Sequence, residues 1–202
     1  MKNKGLIVGL AIGGVLIIGV ILLVMWGISV YNNLVAAEQN VLKQWSQVEN
    51  QYQRRADLIP NLVNTVKGYA NFEKEVLTQV TEARARVGQF NVTPEVLNDP
   101  QAFEKFQSVQ GDLSSALSRL LAVVENYPEL KANENFLQLQ AQLEGTENRI
   151  AVERKRFNEA VQEYNTMIKR FPASMLAGMF GFREKQYFKA VQGAEVPPKV
   201  EF

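Results

Sequence analysis

Four charged residues occupy positions where the helical periodicity of this chain otherwise places apolar side chains. Arg55 and Glu73 lie in the first amphipathic segment, and Glu147 and Arg154 lie in the last. Two glutamates brought together could serve as a general acid and a general base. Charges on a core face are seldom buried unpaired, so structural ion pairs that fix which helix faces which are the alternative, for example Arg55 with Glu147. We favour the structural interpretation and predict no catalytic residue.

The residue types most used in catalysis and metal binding are absent. None of the 202 residues is cysteine or histidine, which excludes disulfides, thiolate or imidazole metal sites and Ser-His-Asp triads. The Glu-x-x-His pairs of di-metal bundles are excluded too. Lys+Arg total 22 and Asp+Glu total 21, so no basic excess indicates nucleic acid. We therefore predict a protein that is not an enzyme, with no cofactor, no metal and no nucleic-acid partner.

A proline lies inside the densest polar cluster, where residues 54–63 read RRADLIPNLV. Pro60 removes a backbone donor and clashes with the carbonyl of Ala56. The heptad phase nevertheless continues through it, which predicts one long helix kinked near Pro60; a hairpin at that point is the alternative. Arg54 and Asp57 are expected to support the helix through the kink, and Asn61 to bond the freed carbonyl.

These polar residues follow a long apolar run. Residues 6–26 read LIVGLAIGGVLIIGVILLVMW, and no charge occurs between residues 5 and 37. Twenty-one residues at ~1.5 Å each span ~30 Å, the thickness of a bilayer core. After a short segment over residues 1–5, we predict a transmembrane helix over residues 6–27. A cleaved signal peptide is the alternative, but its apolar core would be only ~7–15 residues long.

Two further features of this segment concern orientation and packing. Lys2 and Lys4 precede the run, whereas the first basic residue beyond it is Lys43; this bias weakly favours a cytoplasmic N-terminus, with the domain on the outside. Glycines recur every four residues and could form a face on which two membrane helices approach closely, although glycine is common in such helices anyway. They are Gly5, Gly9 and Gly13.

Beyond the run, apolar residues recur at alternating steps of four and three, the spacing of helices that bury one stripe. This predicts an all-α fold in which the transmembrane helix continues into an antiparallel bundle of three to four long helices over residues 28–171. We place these helices at about 28–87, 100–126 and 134–171, with Asp99 and Asn133 as N-caps. The apolar face expected for the second of them consists of Ala102, Phe106, Val109, Leu113, Ala116, Leu120 and Val123, with Leu117 and Val124 beside it.

Residues 172–202 are predicted to form a short apolar helix and a C-terminal tail. The uncharged stretch FPASMLAGMFGF at 171–182 favours packing on the bundle, with Phe171 closing the apolar seam of the last long helix. Contact with lipid or with a partner is the alternative interpretation of this stretch.

Several of these segments resemble the bacterial LemA family. They are YNNLV at 31–35, RRADLIPNLV at 54–63, YPELK at 127–131, GTENRI at 145–150, YN at 164–165 and FP at 171–172. The resemblance covers nearly the whole chain and implies a membrane-anchored bundle of long helices after a single span. It implies no catalytic residue. It also implies a helical domain in the cytoplasm, which conflicts with the charge bias.

The function predicted from these observations is structural. We expect a single-pass protein of the cell (inner) membrane that contacts the lipid bilayer, forms a homo-oligomer and has a self-assembly or scaffolding role. The alternative is an accessory or signalling module that regulates a membrane enzyme or protease as its membrane protein partner.

Overall fold

The computed structural model describes residues 3–69, 73–90 and 93–189, and the side chains within them from residue 8 onward. In these ranges all regular structure is helical. The α-helices are α1 (Asn3–Lys67), α2 (Lys74–Gln89), α3 (Pro100–Val124), α4 (Pro128–Lys131), α5 (Glu134–Lys169) and α6 (Ala173–Phe180), and a 3₁₀-helix covers Pro94–Asn98.

Helix α1 joins the apolar run to the bundle without a break. Its 65 residues correspond to a length of ~98 Å. The large apolar side chains between Val8 and Trp26 are exposed, whereas Leu34 and Val41 are fully buried. By length and composition α1 is able to cross a membrane. One continuous helix therefore carries both the apolar segment and the first core stripe.

The prediction of a single helix over 28–87 is wrong beyond Lys67. Helix α1 ends there, and α2 begins at Lys74. The prediction that the helix continues through Pro60 is confirmed, because Pro60 lies inside α1, and the alternative of a hairpin at that point is excluded. The heptad phase survives the turn between α1 and α2 because α2 packs its own stripe on the same core: Val76, Leu77, Val80 and Ala83 are buried.

Four long helices form the bundle. Helix α5 is antiparallel to α1, since Glu147 meets Arg55 and the C-terminal part of α5 packs near Leu34. Helix α2 returns along α1, and α3 runs parallel to α1. Apolar side chains form two core clusters: a proximal cluster near the apolar run, around Trp45 and Phe157, and a distal cluster around Leu62.

The capping predictions for α3 and α5 are confirmed. The Asp99 side chain accepts hydrogen bonds from the backbone N–H groups of Gln101 and Ala102, and Asn133 accepts one from Phe136. The predicted apolar face of α3 is wrong at alternate positions, where the buried residue is the next one along the chain, and Leu117 and Val124, predicted beside that face, are buried. The buried residues are Phe103, Phe106, Gln110, Leu113, Leu117, Leu120 and Val124.

The C-terminal region leaves the helical seam earlier than predicted. Helix α5 ends at Lys169 and Arg170 is extended, so Phe171 is exposed and does not close the seam. Helix α6 follows, and Gly181 ends it in the left-handed conformation with φ 77°, which glycine adopts without steric cost. Residues 182–189 follow without regular secondary structure, and we call this segment the C-terminal strap.

Candidate functional site

A buried arginine at the centre of the bundle joins three helices. The Arg55 side chain is 1% exposed. Its Nη1 donates to Glu147 Oε1 on α5 and to Ser114 Oγ on α3, both at 2.7 Å. Its Nη2 donates to Gln110 Oε1 at 2.5 Å and to the Gln110 carbonyl at 3.2 Å. The guanidinium also lies 5.1 Å from the ring centre of Tyr52, so its charge is compensated by four acceptors and an aromatic face.

These residues form one polar layer across the bundle. On α1, Arg55 lies between Tyr52 of the proximal cluster and Ile59 of the distal cluster. On α3, Gln110 separates Phe106 from Leu113. A shift of one helix by a turn would place these polar groups against apolar side chains, where they would lack partners. The polar layer therefore raises the free energy of any alignment of α1, α3 and α5 other than the observed one.

The other two charged seam residues have different positions. Glu73 precedes α2 and is exposed, and it forms no salt bridge with any residue the structure describes. Arg154 is not in an ion pair within the described ranges either; it donates to the Lys189 carbonyl at 3.0 Å and lies 4.5 Å from the ring centre of Phe188. The assignment of Glu73 and Arg154 to structural ion pairs is thus wrong. Arg154 instead contacts the C-terminal strap, whose path periodicity does not reveal.

The carbonyl freed by Pro60 is bonded by another helix. The Arg84 Nε on α2 donates to the Ala56 carbonyl at 2.9 Å, the group that a residue-60 N–H would otherwise bond. The expectation that Asn61 would serve this purpose is wrong, since its side chain is exposed and makes no such bond. Arg54 and Asp57 are exposed as well. The proline is accommodated by helix pairing between α1 and α2 and not by its sequence neighbours.

A second buried cation attaches the strap to the bundle. Lys185 Nζ donates to Glu38 Oε1 on α1 at 2.7 Å and to Asn98 Oδ1 at 2.8 Å. It also lies 5.6 Å from the ring centre of Tyr164. Lys185 is buried although Glu38 retains some exposure. Sequence reasoning missed this site because residue 185 lies outside every periodic segment.

Two asparagines of α5 bind the strap backbone. Asn165 accepts from the Lys185 N–H at 3.0 Å and donates to the Lys185 carbonyl at 2.9 Å. Asn158 does the same with Phe188, at 2.9 and 3.0 Å. Each carboxamide thus makes the same pair of hydrogen bonds to the strap backbone that a residue of a neighbouring β-strand would make. Their separation of seven residues on one helix face was a readable signal of paired amide sites.

The strap places Phe188 in an aromatic cluster of the proximal core. Its ring centre lies 5.0 Å from that of Phe103, 5.4 Å from Phe157 and 6.0 Å from Trp45. Helix α2 contributes its buried stripe to the distal cluster, whereas the strap and the 3₁₀-helix fill the proximal one. The C-terminal strap is therefore part of the core.

Burial is the main cause of the raised pKa values in the bundle. Burial raises the pKa of the Tyr52 and Tyr164 hydroxyls, and it raises the pKa of the Glu49 carboxyl on α1. No residue the structure describes belongs to a group of three or more acidic, cysteine or histidine side chains positioned to hold a metal ion. The side chains around Arg55 and those around Lys185 form two separate hydrogen-bonded clusters, each of which joins different elements of the bundle.

The predicted glycine face on α1 is open. A Cβ atom added at Gly9 or Gly13 would meet no atom within 4 Å. The surroundings of Gly5 lie outside the described side chains. Close approach of a second helix at Gly9 and Gly13 is sterically free in this chain.

Fold and site together define a class of protein: a four-helix bundle with polar layers in its core, whose first helix extends from an apolar segment of membrane-spanning length. The sequence model of the LemA family matches residues 44–202, and the chain belongs to that family.

Relatives include two proteins named for the magnetosome. Magnetosome protein MamQ 2 of Paramagnetospirillum magneticum is 27% identical over 183 residues, covering 83% of this chain and 67% of the relative. MamQ of Magnetospirillum gryphiswaldense matches with the same identity and coverage. Protein LemA of Metamycoplasma hominis is 23% identical over 159 residues, covering 79% of this chain and 68% of that protein.

Proposed function

We propose that this protein is a structural protein of the cell (inner) membrane, in which a single span holds a rod-like helical bundle at the bilayer surface for self-assembly or for holding partners. The observation that best supports this proposal is that α1 continues without a break from the exposed apolar segment to the buried Leu34. A continuous helix fixes the direction in which the bundle leaves the membrane, which a flexible tether would not do. The names of these relatives state no reaction.

Self-assembly is proposed to use the Gly9 and Gly13 face. The full chain, extracted in mild detergent, should form an oligomer by mass measurement, and the Gly9→Leu/Gly13→Leu variant should weaken it. Gly14→Leu is the matched control, because Gly14 is equally open but points ~100° away from Gly13 around the helix. An unchanged oligomer in the double variant would exclude this face.

A strict monomer at every concentration would contradict self-assembly altogether. If that monomer copurified in stoichiometric amounts with a membrane enzyme or protease, the regulatory alternative would replace scaffolding. Separate substitution of Glu73 and Glu147 tests whether these residues are catalytic. A structural role predicts that substitution of Glu147 lowers the stability of the protein and that substitution of Glu73 leaves stability unchanged. Two variants that are stable but have lost the function of the protein would instead indicate catalysis.

The charge bias weakly favours a bundle on the outer side of the membrane, since Lys2 and Lys4 lie before the span. Protease added to spheroplasts should then degrade the bundle, and protease added to inverted vesicles should not. The reverse pattern would place the bundle in the cytoplasm, as the family resemblance implies.

A further inference from the structure

The outward face of α6 is apolar and uncovered. Met175 and Met179 lie one turn apart on α6 and are 64% and 77% exposed, and Phe171, two residues before the helix begins, is 77% exposed. The opposite face packs on the bundle through the buried Ala177. Residues 171–182 contain no charge. A contiguous apolar stripe of this kind marks a surface that contacts something other than water.

This stripe lies at the level where α1 leaves its apolar segment. The start of the α6 region, at Phe171 and Ala173, lines the same cleft as Trp26 and Val30 of α1. At the other end of α6, the ring of Phe180 lies 4.9 Å from that of Tyr31. Helix α6 is therefore adjacent to residues 26–31, at the C-terminal end of the predicted span. Aromatic residues such as Trp26 and Tyr31 are enriched at that depth of a membrane protein.

Cations flank the stripe on both sides. Arg170 precedes it and Arg183 follows it, and both are exposed. Within the described ranges neither side chain pairs with a carboxylate, whereas the neighbouring Lys169 pairs with Glu184 at 2.5 Å. An uncharged apolar face bordered by unpaired guanidinium groups is complementary to acyl chains beneath phosphate headgroups.

We propose that α6 lies in the boundary between headgroups and acyl chains and inserts Phe171, Met175 and Met179 into the bilayer. This proposal rests on the proposed membrane span of α1. It gives the bundle a second contact with the same leaflet, because α5 returns the chain to the end of α1 that meets the membrane. Two contacts fix the height and tilt of the rod, on whichever side of the membrane it stands.

The absence of native cysteine permits a direct test with the full chain. Single variants Met175→Cys and Met179→Cys are labelled with a bimane fluorophore and reconstituted in phosphatidylcholine–phosphatidylglycerol vesicles, with and without brominated acyl chains. Val152→Cys is the matched control: Val152 is an exposed apolar residue of α5, ~26 Å along the helix from its membrane end. Quenching by brominated lipid at residues 175 and 179 should exceed that at residue 152 by at least ~3-fold.

Leu16→Cys separates this proposal from the one on which it rests. Quenching at residue 16 with no quenching at 175 and 179 would overturn the insertion of α6 and leave the span intact. No quenching at residue 16 would overturn the span itself. Labels at 175 and 179 that are shielded from both brominated lipid and aqueous iodide would also overturn the proposal, since a second copy or another protein would then cover α6.

A tryptophan version avoids the bulky label. Met175→Trp in a Trp26→Phe background leaves Trp45 as an internal reference, because Trp45 is buried in the aromatic cluster. Brominated lipid should quench the new emission at least ~2-fold more than that of the Trp26→Phe parent. Equal quenching of the two would count against insertion.

Discussion

Glu147→Gln removes one charge from the polar layer and leaves its shape nearly unchanged. The buried Arg55 guanidinium would retain the neutral oxygens of Gln110 and Ser114 but lose the carboxylate at 2.7 Å. The variant should be destabilised, because a cation that is 1% exposed cannot recover this interaction from water.

The magnitude follows from the burial of the two partners. Breaking a fully buried ion pair costs about 3–5 kcal/mol, and exposed pairs contribute about 0–1 kcal/mol. The Glu147 side chain is 42% exposed, so solvent screens one end of the pair. We expect the free energy of unfolding to fall by about 2 kcal/mol, equivalent to a decrease in Tm of about 4–8 °C for a domain of this size.

Urea unfolding of the full chain in detergent would measure this loss, with circular dichroism for the helices and Trp45 fluorescence for the proximal core. A Trp26→Phe background leaves Trp45 as the sole tryptophan. The matched control is Glu159→Gln, which breaks an exposed pair with Lys155 at 3.9 Å and should cost under about 0.5 kcal/mol. Equal effects of the two variants would refute the reasoning that Arg55 depends on Glu147.

The layer can also be replaced as a unit. In Arg55→Met/Gln110→Met/Glu147→Met, no buried group is left without a partner, so stability should return to within about 1 kcal/mol of the wild type or exceed it. If the layer selects register, this stable variant should show broadened or multiple states by NMR or by crosslinking between α1 and α5. A single wild-type register in the triple variant would show that apolar packing alone suffices.

Three further predictions concern the remaining contacts. Arg84→Met should lower the free energy of unfolding by about 1–2 kcal/mol, because it leaves the Ala56 carbonyl without a hydrogen bond. Adding Pro60→Ala should remove this loss, because residue 60 then has an N–H that bonds the Ala56 carbonyl. Equal losses with and without Pro60→Ala would contradict the bond between Arg84 and the Ala56 carbonyl. Phe188→Ala should cost about 3–5 kcal/mol in urea unfolding, and a loss below about 1 kcal/mol would show that the strap is dispensable. Burial raises the pKa of Glu49 above its ordinary value of 4.5, so the native state binds this proton more tightly than the unfolded chain does. The contribution of Glu49 to the free energy of unfolding therefore falls as pH rises from about 4 to 7, and Glu49→Gln should gain stability at pH 7 but not at pH 4. An equal effect at both pH values would contradict this.

The sequence by itself determined the helical fold and much of its core. Periodicity identified the stripes of α1 and α5, and the Asp99 and Asn133 caps were readable because a side-chain acceptor two to three residues before the first free N–H groups is a local feature. The pattern did not reveal the turn after Lys67, since the stripe of α2 continues the heptad phase of α1. The pattern also did not predict the burial of Gln110, because periodicity assigns the apolar Val109 and not its polar neighbour to the buried face.

The sequence offered Arg55 with Glu147 as one possible ion pair, and the packing of the helices determines which of the charged residues meet. Arg55 reaches Glu147 because α5 runs antiparallel to α1 at that height, whereas Glu73, which precedes α2, forms no salt bridge within the described ranges. Lys185 and Phe188 lie in a segment without periodicity, and their burial arises from a groove that four separate elements build. Helical periodicity encodes which face of a helix leaves water, a local property. The partner of each polar group depends on register between helices that are far apart in the chain, and that information exists only in the packed bundle.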